Sequence, residues 1–286
     1  MNISLLQWIE RNTNRRKDEG MNIGIFDSGI GGITLLHQAL VMLPNEKYIF
    51  YADTDNAPYG TKSRDQVIAL VDNVMRFMAE HDCKAVVIAC NTATAAAAEI
   101  MRQKYSIPII GIEPAVKPAV RESHGKRVLV AATPLTVREE KLKNLVKLVD
   151  DAHLVDLLAL PKLVEFAERG EFSSAAVEQY LRDAFSFYEL AQYGELVLGC
   201  THFNYFKDTF RKILPNDVHM IDGSEGTIRQ LVHVLKSRNQ LGTDCAAVAK
   251  NDTSVRYFSS GRELKEKVEL DYVKRLHERL EKMRNL

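Results

Sequence analysis

Two doubly wound α/β lobes, each a mostly parallel sheet flanked by helices, with a ligand cleft between them, are the fold this sequence predicts. Three observations carry that prediction. Strand-length apolar runs alternate with helix-period segments from Asn22 almost to the C-terminus, the pattern of repeated βαβ units. Two of these runs, Val86-Val87-Ile88-Ala89 and Leu196-Val197-Leu198-Gly199, stand far apart yet end alike, in Cys90-Asn91-Thr92 and Cys200-Thr201-His202. The first run of all leads into a glycine-rich turn, Asp27-Ser28-Gly29-Ile30-Gly31-Gly32. In parallel sheets such strand ends are where ligands sit. The expected division is an extension at 1–20, a first lobe at 21–116 and 226–286, and a second lobe at 117–225.

In the extension, Leu5, Leu6, Trp8 and Ile9 have the spacing expected of one side of a short helix, and Met21 opens a segment that looks like a natural N-terminus. A buried strand at 23–26 precedes the glycine turn. Leu36, Ala39, Leu40 and Leu43 then mark one face of a helix that Pro44 stops. A strand at 48–52 and a loop at 53–62 follow. Ser63 with Gln66 is a capping-box signature for a helix whose apolar face is Val67, Leu70, Val71, Val74 and Met78. The first cysteine strand, 84–89, leads into an alanine-rich helix at 93–104. Strands at 107–112 and 127–132 flank a helix after Glu113-Pro114.

The second half repeats this grammar. It predicts a helix at 137–149, a strand at 153–158, helices at 162–169 and 173–192, the second cysteine strand, and a helix reaching Ile213. A strand at 218–221 and a helix at 224–236 lead into an irregular stretch at 237–252. A strand at 254–258 is followed from Gly261 by a charged amphipathic helix burying Leu264, Val268, Val273, Leu276 and Leu280.

Charge and composition narrow the function. Basic and acidic side chains balance at 38 each, and no long basic stripe appears, which argues against nucleic acid as the main partner. Arg15-Arg16-Lys17, next to Asp18-Glu19, is a solvated face. No run approaches the roughly 18 apolar residues of a membrane span, and residues 1–20 lack a signal peptide's apolar core. Four cysteines in a chain of this length do not form a disulfide framework. A soluble cytoplasmic protein is the expectation.

The glycine turn lets backbone approach a ligand closely and places a helix N-terminus behind it. It lacks the Gly-Lys-Ser/Thr ending of a P-loop and the spacing of a dinucleotide fingerprint, and Asp27 repels a phosphate. A carboxylate held by Ser28 and backbone N–H groups fits; a plain turn with a capping Asp is the alternative. A lone cysteine in an apolar strand is usually a small hydrophobe. Cys90 and Cys200, however, each sit where N–H dipoles activate a thiol, with Asp27 and His202 near enough in sequence logic to share their protons. Cys83 and Cys245 have no such setting. A metal reading stays open through Cys200, His202 and Cys90, although no Cys-x-x-Cys or His-x-x-x-His accompanies them. The hydroxyls and amides at strand ends, Ser28, Asn91, Thr92, Thr94, Thr133, Thr136 and Thr201, suit a small zwitterion. No Schiff-base lysine stands at a strand end, so no cofactor is called for.

Four motifs in this order, Phe26-Asp27-Ser28-Gly29-Ile30-Gly31-Gly32, Pro58-Tyr59-Gly60, Ala89-Cys90-Asn91-Thr92-Ala93-Thr94 and Leu198-Gly199-Cys200-Thr201-His202, resemble the glutamate racemases of the aspartate/glutamate racemase superfamily. The resemblance runs from about Met21 to the C-terminus. It implies a cofactor-independent enzyme that interconverts L- and D-glutamate and supplies D-glutamate for peptidoglycan, with Cys90 and Cys200 as its two acid/base thiols. Asp27 and His202 match the residues assisting the thiols, and Glu165 falls at the position of a supporting carboxylate. Ser28, Pro58, Tyr59, Gly60, Asn91, Thr92, Thr133, Thr136 and Thr201 match substrate contacts, together with Asp27 and His202. This chain departs from the pattern at Ala132, where a glycine is usual, at Phe203-Asn204-Tyr205, and at Leu157 to Lys162 before Glu165. Glutamate is the expected small-molecule partner, and a homodimer is one assembly left open. Relatives acting on aspartate, a hydantoin or maleate, and a non-enzymatic binding protein on the same fold, are the alternatives.

Overall fold

The computed structural model describes residues 21–241 and 255–286. The expectations for 1–20, for most of the irregular stretch, for Cys245 and for the start of the strand at 254 lie outside the described residues.

The first lobe is built on β1 (Asn22–Asp27), β2 (Tyr48–Ala52), β3 (Cys83–Ile88), β4 (Ile109–Gly111), β9 (Val255–Ser259) and β10 (Arg262–Glu263). Their order is β10-β9-β2-β1-β3-β4, parallel throughout except for the β9–β10 hairpin. The second lobe carries β5 (Arg127–Ala132), β6 (Val155–Ala159), β7 (Tyr193–Leu198) and β8 (His219–Asp222) in the order β6-β5-β7-β8, all parallel. Helices cover both faces of each sheet. That is why the central strands are unbroken apolar runs rather than alternating ones, with Ile23, Ile25, Val86, Val87, Leu196 and Val197 fully buried.

The helices are α1 (Ile33–Met42), α2 (Arg64–Glu80) and α3 (Asn91–Lys104) in the first lobe, then α4 (Val116–Glu122), α5 (Pro134–Arg138), α6 (Glu140–Val149), α7 (Pro161–Glu168), α8 (Ala175–Phe185) and α9 (Lys207–Arg211) in the second. The chain returns through α10 (Ser224–Ser237), which packs on α1 and β4, and closes with α11 (Lys267–Met283) against α1. The Ser63–Gln66 capping box is fully formed at the start of α2.

Several elements differ from the sequence expectation, each for a local reason. Extended backbone at Glu139 splits the helix expected at 137–149 into α5 and α6. The helix expected to 192 ends at Phe185, where the Ser186 hydroxyl donates to the Asp183 carbonyl. After Gly261 the chain first forms β10, because Ser260 and Gly261 both take the left-handed conformation that turns a hairpin. The last helix therefore starts only at Lys267, capped by Glu266 and Glu269, and Val268 is exposed rather than buried. Pro108 lacks an N–H, and β4 begins one residue later. After Cys200 a 3-10 segment, Thr201–Phe206, stands where a helix was expected, and α9 is only a short continuation.

Topology positions the site. β1 is central in the first sheet beside β3, with Phe26 level with Ile88, so Asp27 and Cys90 emerge as neighbours. β5 and β7 are paired likewise in the second sheet, with Ala131 level with Leu198, which brings out Thr133 and Cys200 together. The C-terminal ends of these four strands meet across the lobe junction.

Candidate active site

Cys90 is the N-cap of α3. Its Sγ accepts the Ala93 N–H at 3.4 Å, and the Ser28 Oγ lies 3.6 Å away. Ser28 in turn donates to Asp27 Oδ1 at 3.1 Å, so thiol, hydroxyl and carboxylate form a continuous chain. Asp27 is completely buried, and its other oxygen accepts the Thr201 hydroxyl at 2.8 Å from the opposite lobe. Burial pushes the Asp27 carboxyl above the usual carboxylate range, against the pull of His202 and Thr201. Burial, then the Asp27 charge, pushes the Cys90 thiol up, while the Ala93 N–H and Ser28 oppose the rise.

A second chain faces it. The Cys200 Sγ lies 3.7 Å from His202 Nδ1, and His202 Nε2 lies 2.6 Å from Glu168 Oε1. Glu168 Oε1 also accepts the Ile30 N–H at 2.9 Å, which ties the second lobe to the glycine turn of the first. Burial disfavours the imidazolium, but the Cys200 sulfur and the Glu168 carboxylate outweigh it and hold His202 well above its ordinary pKa. Nε2 is therefore assigned as the donor to Glu168, with the Gly31 N–H a longer neighbour at 3.3 Å.

Three hydroxyls close one side: Thr92 lies 2.9 Å from Thr133 and 3.2 Å from Thr136, and the last two are 3.0 Å apart. Gly60 rests directly on Thr133; a Cβ there would stand 2.7 Å from the threonine Cβ. Tyr59 turns its hydroxyl away, donating to Asp53 Oδ2 at 2.6 Å, so the half-buried Pro58 and its neighbours Tyr59 and Gly60 offer the site backbone rather than a phenol. Asn91 is buried, and neither its amide nitrogen nor its oxygen has a partner among the described residues. An orphaned buried polar group costs about 1–3 kcal/mol, so a ligand is the natural partner for this one. A cavity of about 80 Å³ opens beside Asn91 and Thr136. A cleft of about 1280 Å³ lies elsewhere, where the chain crosses between lobes, and contains none of these residues. Size therefore does not mark the site; with the lobes in contact it has little empty space. Among the described residues no set of three or more His, Cys, Asp or Glu side chains converges to hold a metal ion.

Glu165 is a correction. It is exposed on α7, and the carboxylate that reaches His202 is Glu168, one turn further on. Helical period carried a signal for this: Leu163, Val164 and Ala167 are the buried face, and Glu168 lies nearer that face than Glu165. Sequence reasoning also missed Thr34, whose hydroxyl holds the Thr201 carbonyl at 3.1 Å, and Tyr205, whose hydroxyl holds the Ile30 carbonyl at 2.9 Å.

Residues 34–231 match the family described as Asp/Glu/Hydantoin racemase. The chain is 50% identical over 268 residues to a glutamate racemase of Lachnospira eligens, covering 93% of this chain and all of that one. It is 51% identical over 263 residues to glutamate racemase 2 of Bacillus subtilis, covering 91% and 97%. Among solved structures, glutamate racemase from Francisella tularensis in complex with D-glutamate superposes with a TM-score of 0.74 at 29% identity, covering 90% of this chain and 93% of that one.

Proposed function

The chain belongs to the Asp/Glu/hydantoin racemase family and is an amino-acid racemase, and from that premise we propose that it interconverts L- and D-glutamate through two opposed thiols. The observation that carries the reading is the pair of chains, Asp27–Ser28–Cys90 and Glu168–His202–Cys200, reaching the lobe junction from opposite sheets.

The α-hydrogen of an amino acid is a very weak acid, so its removal needs a close base, exclusion of water and stabilisation of the charge that develops on the carboxylate. The N-terminus of α3 and the orphaned Asn91 amide suit that carboxylate. The buried Asp27 suits the ammonium, and the Thr92, Thr133 and Thr136 hydroxyls with the Gly60 backbone suit the second carboxylate of glutamate. With D-glutamate, Cys90 as thiolate takes the α-hydrogen as a proton, and the bonding pair passes into the α-carboxylate. Cys200 as thiol then gives a proton to the opposite face. The enzyme is left with Cys90 as thiol and Cys200 as thiolate, the arrangement that starts the reverse reaction from L-glutamate. A single base tends to return the proton to the face it left, which is why inversion calls for two.

Cys90→Ala and Cys200→Ala should each abolish racemisation followed by optical rotation, and full racemisation by either variant would overturn the mechanism. Turnover of aspartate with none of glutamate would overturn the substrate. D-glutamate for peptidoglycan, made in the cytoplasm, is the role we assign. Its test is whether the chain restores growth to a bacterium that otherwise needs added D-glutamate.

A further inference from the structure

The 3-10 segment Thr201–Phe206 carries two site residues, is buried throughout, and belongs to the second lobe by its strand, β7. Much of what holds it belongs to the first. Thr34 on α1 grips the Thr201 carbonyl, Tyr205 reaches the Ile30 carbonyl, and Arg279 on α11 takes its C-terminal end. Arg279 Nε donates to the Tyr205 carbonyl at 2.9 Å. Its Nη2 donates to both oxygens of Asp208 at 2.8 and 2.9 Å, and the guanidinium lies over the Phe172 ring at 5.1 Å from the centroid. The planar fork thus holds, in one grip, the carbonyl at the end of the 3-10 segment and a side chain in the first turn of α9.

We propose that Arg279 is a positioning residue for the racemase, setting the placement of Cys200, Thr201 and His202 from outside the site; the inference rests on the two-thiol reading. It touches no reacting atom and acts through the backbone of the 3-10 segment. Without it the segment keeps its contacts with the glycine turn but loses its anchor on α11. His202 then shifts relative to Glu168, and Cys200 relative to the substrate carbon. A partly exposed ion pair contributes only about 0–1 kcal/mol to stability, so a large catalytic effect would exceed what the pair does for folding.

The test compares Arg279→Met, Arg279→Lys and Asp208→Asn in the full chain, with kcat and KM measured in both directions and folding followed by melting. Misplacement by about 1 Å can cost 10²-fold, so Arg279→Met should lose about 10- to 100-fold in kcat with KM changed less than about threefold. Arg279→Lys, which keeps a charged donor but loses the planar fork, should recover only part of the loss, and Asp208→Asn should lower kcat in the same direction by less than Arg279→Met does. A folded Arg279→Met with wild-type kcat, a rise in KM alone, or an unchanged Asp208→Asn would each contradict the proposal. Wild-type turnover in the same assay tests the underlying reading separately.

Discussion

Glu168 decides how His202 can serve Cys200, because its carboxylate accepts the Nε2–H hydrogen bond and so orients Nδ1 towards the sulfur. Glu168→Gln should therefore lower kcat by about 10- to 100-fold, within the range of assisted proton transfer, while Glu165→Gln, on the exposed side of α7, should leave it unchanged. Steady-state kinetics on the two variants checks this, and equal effects would contradict the assignment. At the other thiol, burial and then the Asp27 charge disfavour the Cys90 thiolate. Labelling of Cys90 by iodoacetamide, read by mass spectrometry, should keep rising to about pH 10, whereas an ordinary thiol of pKa about 8.5 levels off sooner. The sequence offers both cysteines, Asp27 and His202 as candidates because they stand at or next to strand ends that repeat one pattern. Glu168 was not singled out because two glutamates one turn apart look alike until the buried face of α7 is laid out.

At the scale of the element, the helix caps and the last helix make separate predictions. Ser63→Ala removes half of an exposed capping box that touches neither thiol and should cost about 1 kcal/mol in a denaturant titration with kcat unchanged. On α11, His277 is fully buried with Nδ1 3.1 Å from His37 Nδ1, while His37 Nε2 lies 3.0 Å from Glu281. Glu281 accepts a hydrogen bond from His37 Nε2–H, so in the neutral pair the single proton between the two Nδ1 atoms belongs to His277. Burial lowers both histidine pKa values, so below pH about 6.5 the unfolded chain takes up protons that the folded one refuses. Stability should be full above that pH and fall as the solution is acidified towards the depressed folded values. Urea midpoints at pH 7.5 and 5.5 test the sign, and His277→Leu should flatten the slope. The capping box marked the start of α2, and the alanine-rich run marked α3 from Ala93 to its end at Lys104, two residues inside its observed start at Asn91. Periodicity overran at Gly261, where a local left-handed turn makes a hairpin, and after Cys200, where Thr34 and Arg279, both distant in sequence, hold a 3-10 segment.

Across the whole molecule, close contact between lobes is what makes one site from two sheets. Gly31 touches the second lobe so closely that a Cβ would stand 2.4 Å from His202 Nδ1 and 2.5 Å from the Thr201 hydroxyl. Gly31→Ala should wedge the lobes apart and lower kcat by about 100-fold or more, since a displacement near 1 Å suffices for that loss. The two-lobe architecture was visible in the sequence through the repeated cysteine strands, but not the degree of closure, which depends on Gly31, Gly60 and Arg279 finding partners far along the chain.

The most direct measurement is the fate of the α-hydrogen when D-glutamate is turned over in heavy water and sampled before much product forms. Two opposed thiols predict L-glutamate that is fully α-deuterated beside recovered D-glutamate that still carries protium. Deuterium entering the recovered D-glutamate as fast as the L-glutamate appears would mean that one base serves both faces, and would contradict the account.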